Sequence, residues 1–102
     1  MKLGMFRDYR SMANWYYEEA RGIEAHGLKL AKETLADAMN ETNGYKEWWF
    51  KMNGRKFVPG DAICEHMWNG QLDWLKGNVK YLENKVRKYR RTADKAIAMV
   101  TK

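Results

Sequence analysis

Apolar residues recur in steps of three and four along most of this 102-residue chain, the spacing that lines one face of an α-helix. In the first half the set is Phe6, Tyr9, Ala13, Tyr16, Ala20, Ile23, Gly27 and Leu30; the phase then slips to Leu28, Ala31, Leu35 and Ala38. The spacing predicts a helix over about residues 6–40 with a stutter near Gly27. Gly22 and Gly27 lie inside it, each weakening a helix by about 1 kcal/mol relative to alanine, so they mark a close helix approach or a bend. The run Asn40-Glu41-Thr42-Asn43-Gly44 ends the helix, because Asn and Gly accept the left-handed backbone that a C-terminal cap requires.

The second half carries a stricter pattern: Leu72, Leu75, Val79, Leu82, Val86, Tyr89, Ala93, Ala96 and Val100 form a heptad seam. Ile63, Met67 and Trp68 continue its apolar face toward the N-terminus. Pro59-Gly60-Asp61 reads as a helix start with Asp61 as N-cap. The prediction is a helix over about residues 61–100, continuous or broken in two at Asn69-Gly70.

Between the two helices lies Trp48-Trp49-Phe50-Lys51-Met52-Asn53-Gly54-Arg55-Lys56-Phe57-Val58-Pro59-Gly60. Asn-Gly is the strongest two-residue hairpin signal, since both central positions of a type I′ turn need positive φ. It predicts a β-hairpin over about residues 47–58 in which Lys51 opposes Lys56 and Phe50 opposes Phe57. Trp48, Phe50, Met52 and Phe57 would share one face with Arg55 and pack on the helices, because a lone two-stranded hairpin is marginal in water. Trp49, Lys51 and Lys56 would share the other. Two opposed lysines cost stability unless an anion lies between them, so Trp49, Lys51 and Lys56 are a secondary anion contact, the plain alternative being lysines splayed into solvent. The expected fold is therefore mainly α: a single domain, residues 1–102, of two long antiparallel helices in a coiled-coil-like hairpin, with a short β-hairpin insert. Met12, Tyr17, Trp68, Ile97 and Met99 add apolar surface beside the single seam, and a homodimer would cover it.

Charge sharpens this picture. Residues 76–102 hold nine Lys and Arg against Glu83 and Asp94, whereas residues 1–75 hold ten basic and eleven acidic side chains. The whole +6 excess thus falls in the last quarter of the chain and calls for an acidic partner; the bland alternative is a solubilised helix face. No stretch approaches the roughly 20 apolar residues of a membrane span, and the start, MKLGMFRDYR, has no signal-peptide core. A lone cysteine, Cys64, suits a reducing cytoplasm.

Chemistry that would make an enzyme is missing from the pattern. His26, His66 and Cys64 lack metal-ligand spacing, and Cys64 and His66 fall on different sides of a helix. No Gly-rich phosphate loop and no GxSxG turn occurs, so no cofactor is expected, and Cys64 reads as a small buried hydrophobe. The stronger signal is basic residues interleaved with aromatics. Trp74, Asn78, Tyr81, Lys85 and Lys88 form a stripe off the heptad seam, flanked by Lys80, Arg87, Arg91 and Lys95. Their cations would pair with phosphates while Trp74 and Tyr81 stack on bases, unless those rings are covered by packing. The expectation is a non-enzymatic, cytoplasmic, basic protein that engages nucleic acid through its C-terminal helix. Two alternatives stand beside it. One is an inhibitor or adaptor that binds an acidic or nucleic-acid-binding host protein, of the kind phage accessory proteins supply. The other is a helical oligomer that captures a small anionic ligand such as a nucleotide.

Overall fold

The computed structural model describes residues 1–100, and Thr101 and Lys102, one of the nine C-terminal cations, lie outside the described residues. The described residues are all-α. Helix α1 (Tyr9–Gly22) runs through a π-helical turn, Ile23–Leu28, into α2 (Lys29–Asn40), followed by α3 (Tyr45–Met52) and α4 (Ala62–Val100). No strand occurs among the described residues, and none of their helices is long and apolar enough to cross a membrane. Contacts divide the chain into two units: Met1–Lys29 with Tyr81–Lys102, here unit 1, and Leu30–Lys80, here unit 2.

The backbone stays right-handed helical at Gly22, Ile23 and Lys29, so the stutter is absorbed without a break. A π turn bonds i to i+5 and takes up one residue more than an α turn. That is the slip seen in the apolar pattern. Leu28, Ala31 and Ala38 are buried, while Leu30, assigned by the earlier phase, is 64% exposed. A Cβ at Gly22 or Gly27 would meet open space, so neither glycine marks a close helix approach.

In unit 1, Asp8 caps α1, accepting a 2.7 Å hydrogen bond from the Ser11 amide. That bond holds the Asp8 carboxyl below its ordinary range. Met12 and Ala13 of α1 pack with Ala96 of α4. The Tyr17 hydroxyl donates to Asp94 at 2.5 Å, which pushes the Tyr17 phenol up, and Arg90 reaches Glu24 at 3.0 Å. Partners early in α1 meet late α4 and partners after it meet earlier α4, so these segments run antiparallel. Trp15, Tyr16 and Tyr89 form an aromatic cluster at the same seam.

Unit 2 overturns the β-hairpin. Residues 45–52 are helical, so Lys51 does not oppose Lys56 across a ladder and Trp48, Phe50, Met52 and Phe57 do not share a sheet face. Phe50 is buried and Phe57 half-buried, whereas Trp48 and Met52 are 54% and 66% exposed. The four aromatic rings of Tyr45–Met52 suit a strand by local preference, so the cause is tertiary. A helix puts Tyr45, Trp49 and Phe50 on one side, where all three rings meet Trp68 at centroid distances of 6.1, 5.8 and 6.0 Å. Lys46 joins that face: its ammonium lies 3.8 Å from the Phe57 ring centroid and 2.8 Å from the Glu41 carboxylate. Ala38, Phe50, Cys64, Trp68 and Leu75 form the buried core of the unit.

Asn53-Gly54 serves as the stop of α3. Asn53 has φ −93° and only Gly54 is left-handed, at φ +69°, which excludes a type I′ turn. The Gly54 amide donates to the Lys51 carbonyl at 3.0 Å and the Arg55 amide to the Phe50 carbonyl at 3.0 Å, the two bonds of a Schellman cap. Helix α2 ends the same way, with the Thr42 amide on the Asp37 carbonyl at 2.9 Å, but there Glu41 adopts the left-handed φ of +52°. Gly54→Val is expected to destabilise the protein by about 1–2 kcal/mol, because a side chain with a Cβ resists that φ. Thermal unfolding checks this, and a parental melting temperature would exclude the left-handed cap.

Asp61 caps α4 as its position predicts, accepting from the Cys64 amide at 3.0 Å, a bond that lowers the Asp61 carboxyl. The helix then passes Asn69-Gly70 without the break that pair allowed. Buried Trp68 and Leu75 on either side hold one continuous face across it, outweighing the about 1 kcal/mol that glycine costs a helix interior. The Cys64 thiol is buried and donates weakly to the Lys56 carbonyl, Sγ to oxygen 3.7 Å.

Candidate functional site

The division into units changes what the charge asymmetry means. Unit 1 holds twelve Lys and Arg against six Asp and Glu, and unit 2 seven against seven. The entire formal excess of +6 therefore belongs to unit 1, with unit 2 neutral. Trp74 and Lys80 of the expected stripe fall in unit 2; Tyr81, Lys85, Arg87, Lys88, Arg91 and Lys95 fall in unit 1.

Helical register explains which of these side chains face outward. Val86, Ala93 and Ala96 are buried, with Tyr89 half-buried among the aromatics of α1. On a 3.6-residue helix the positions opposite that seam are Asn84, Lys88, Arg91 and Lys95, in steps of four, three and four, with Arg87 beside them. All five are exposed. Tyr81 is 60% exposed and Lys85 half-buried. Trp74, in unit 2, is 61% exposed, so neither ring is covered by packing within the chain.

Tyr81, Asn84, Lys85, Lys88 and Tyr89 line a depression of about 260 Å³. The Lys85 ammonium stands 5.7 Å from the Tyr89 ring centroid, and Arg87 donates to the Asn84 side-chain oxygen at 2.7 Å. Asn84 and Tyr89 complete this depression although charge and aromaticity on the surface did not single them out. The signal for Asn84 was its register, three residues after Tyr81 and four before Lys88.

Four of the six carboxylates of unit 1 are engaged elsewhere. Asp8 accepts from Ser11, Glu18 pairs with Arg21, Glu24 with Arg90, and Asp94 accepts from Tyr17. Among the described residues no carboxylate lies within 4.0 Å of the cationic nitrogens of Lys85, Arg87, Lys88, Arg91 or Lys95. Five cations thus project from one stretch of α4 with no carboxylate in ion-pair contact. Comparison with protein-family models, with curated proteins and with solved structures finds no match for this chain. Its functional reading rests on geometry and charge.

The secondary anion contact is rearranged. Trp49 is drawn into the aromatic core, edge-to-face with Phe50 at 4.9 Å. Lys51 and Lys56 stay exposed and line a second depression, of about 600 Å³, in unit 2. His26 and His66 are both exposed, and no group of three His, Cys, Asp or Glu that could hold a metal ion occurs among the described residues.

Proposed function

We propose that unit 1 binds nucleic acid, single strands in preference to duplex, through the outward face of α4. The observation that carries this reading is an exposed aromatic ring, Tyr81, beside a row of cations with no acidic partner. Lys88, Arg91 and Lys95 span about 10 Å of helix at 1.5 Å per residue, enough to follow about three nucleotides of strand. Their role is to neutralise phosphates. Tyr81, at the rim of the depression, offers a π-face to an unstacked base, which a paired duplex does not present. Lys85 and Asn84 supply donors and an acceptor to the base edge or sugar. Nothing in this arrangement reads a base sequence, so the expected preference is for charge and for unpaired bases.

The test is a titration of labelled single-stranded and double-stranded oligonucleotides, followed by fluorescence anisotropy at several salt concentrations. With three to five neutralised phosphates, log affinity for a single strand should fall against log salt with a slope of about −2 to −4. Tyr81→Ala should weaken single-strand binding by about 1–3 kcal/mol and leave the slope unchanged. A salt-independent titration, or none, would remove the reading and leave this face to an acidic protein surface.

A further inference from the structure

The larger depression lies at the C-terminal end of α3, wholly within unit 2, and does not depend on the nucleic-acid reading. It measures about 600 Å³, and its polar lining is Glu47, Lys51, Arg55 and Lys56, with Phe57 and Pro59 as an apolar wall. That size suits a small organic ligand. Unit 2 is neutral, with seven basic side chains and seven acidic. Three of those seven basic side chains nevertheless converge here against Glu47.

The convergence is built by the helix stop. Glu47 and Lys51 lie one turn apart on α3, at i and i+4. The Arg55 amide, bonded back to the Phe50 carbonyl at 3.0 Å, then returns the chain beside the same helix end, bringing Arg55 and Lys56 to it. A helix C-terminus by itself disfavours an anion, but the carbonyls of Phe50 and Lys51 are already occupied by the Arg55 and Gly54 amides. Among the described residues none of Lys51, Arg55 and Lys56 has a carboxylate within 4.0 Å. Arg55 feels the charge of Asp61, yet that carboxylate is committed to the Cys64 amide at 3.0 Å. Gly54 adds no side chain to the floor, and a Cβ there would meet nothing within 4 Å, so the space beside it stays open.

Three cations around an apolar wall select an anion that carries an apolar body. We propose that this depression binds a small aromatic phosphate of mononucleotide size. The phosphate lies among Lys51, Arg55 and Lys56, where the Arg55 guanidinium can hold two of its oxygens at once. The planar ring lies against Phe57 and Pro59. Glu47, the carboxylate in the lining, takes a hydrogen bond from an amino or hydroxyl group of the ligand, which distinguishes a nucleotide from a bare anion.

Isothermal titration calorimetry of the full chain at ~0.15 M salt, with adenosine monophosphate, adenosine and inorganic phosphate as separate probes, decides the matter. The expected result is saturable one-to-one binding of the monophosphate, at least about tenfold tighter than either fragment. The double variant Arg55→Gln with Lys56→Gln should lose about tenfold or more of that affinity. Lys51→Gln, on the helix surface, should lose affinity in the same direction and serves should the double variant not fold. Arg87→Glu with Arg91→Glu, in unit 1, should bind the monophosphate as the parent does, whatever becomes of its oligonucleotide binding. No saturable heat with the monophosphate, inorganic phosphate bound as tightly as the monophosphate, undiminished affinity in the unit 2 variants, or loss of affinity in the unit 1 variant would each overturn the proposal.

Discussion

Trp68→Ala is expected to lower the melting temperature by more than about 12 °C, the consequence of losing about 3–5 kcal/mol from the core of unit 2. Trp68 is 5% exposed and meets the rings of Tyr45, Trp49 and Phe50 as well as the Lys46 ammonium, 5.4 Å from its centroid. Truncation leaves all four partners facing a cavity that an eight-residue helix cannot close, because α3 is too short to be stable alone. Amide exchange in α3 should therefore speed up ahead of exchange in α1. Trp74→Ala is the control: with Trp74 61% exposed, a change within about 0.5 kcal/mol is expected. Equal melting temperatures for the two variants would mean that α3 does not pack on Trp68.

The second large effect concerns binding. Reversing Arg87, Lys88 and Arg91 together to glutamate changes the charge of unit 1 by six and brings its +6 excess to zero, counted over twelve basic and six acidic side chains. Single-strand affinity should fall below detection, and at low salt, where residual binding is measurable, the log–log slope should shrink by about 2. All three side chains are exposed, and among the described residues the side-chain hydrogen bond lost is that of Arg87 to Asn84. The buried positions Val86, Ala93 and Ala96 are untouched, so far-UV circular dichroism should be unchanged and the melting temperature should move by a few degrees at most. A folded triple variant that binds oligonucleotides like the parent would end the nucleic-acid reading.

Much of this protein was legible in the order of its residues, and the parts that were share a physical reason. The heptad seam from Leu72 to Val100, the Asp61 cap and the one-residue slip near Gly27 all express periodicities or bonds within a few residues of chain. Local geometry alone decides them. The outward row of Lys88, Arg91 and Lys95 follows from the same register, since a position opposite a buried seam must face solvent. Where a signal is local but serves two structures, the residues by themselves did not choose. A positive φ at Gly54 fits a type I′ hairpin and a Schellman cap equally well, and Asn53 in a right-handed conformation is what separates them. That choice came from Trp68, distant along the chain, which rewards the helical arrangement of Tyr45, Trp49 and Phe50 with three ring contacts. Tertiary packing likewise decided that Trp74 and Tyr81 stand exposed, that Trp49 is withdrawn into the core, and that Arg55 joins Lys51 and Lys56 around one depression. It also gave the excess charge its meaning: Glu24 and Asp94 are engaged by Arg90 and Tyr17 across the helix pair, so the cations beside them are left unpaired by contacts that no local pattern contains.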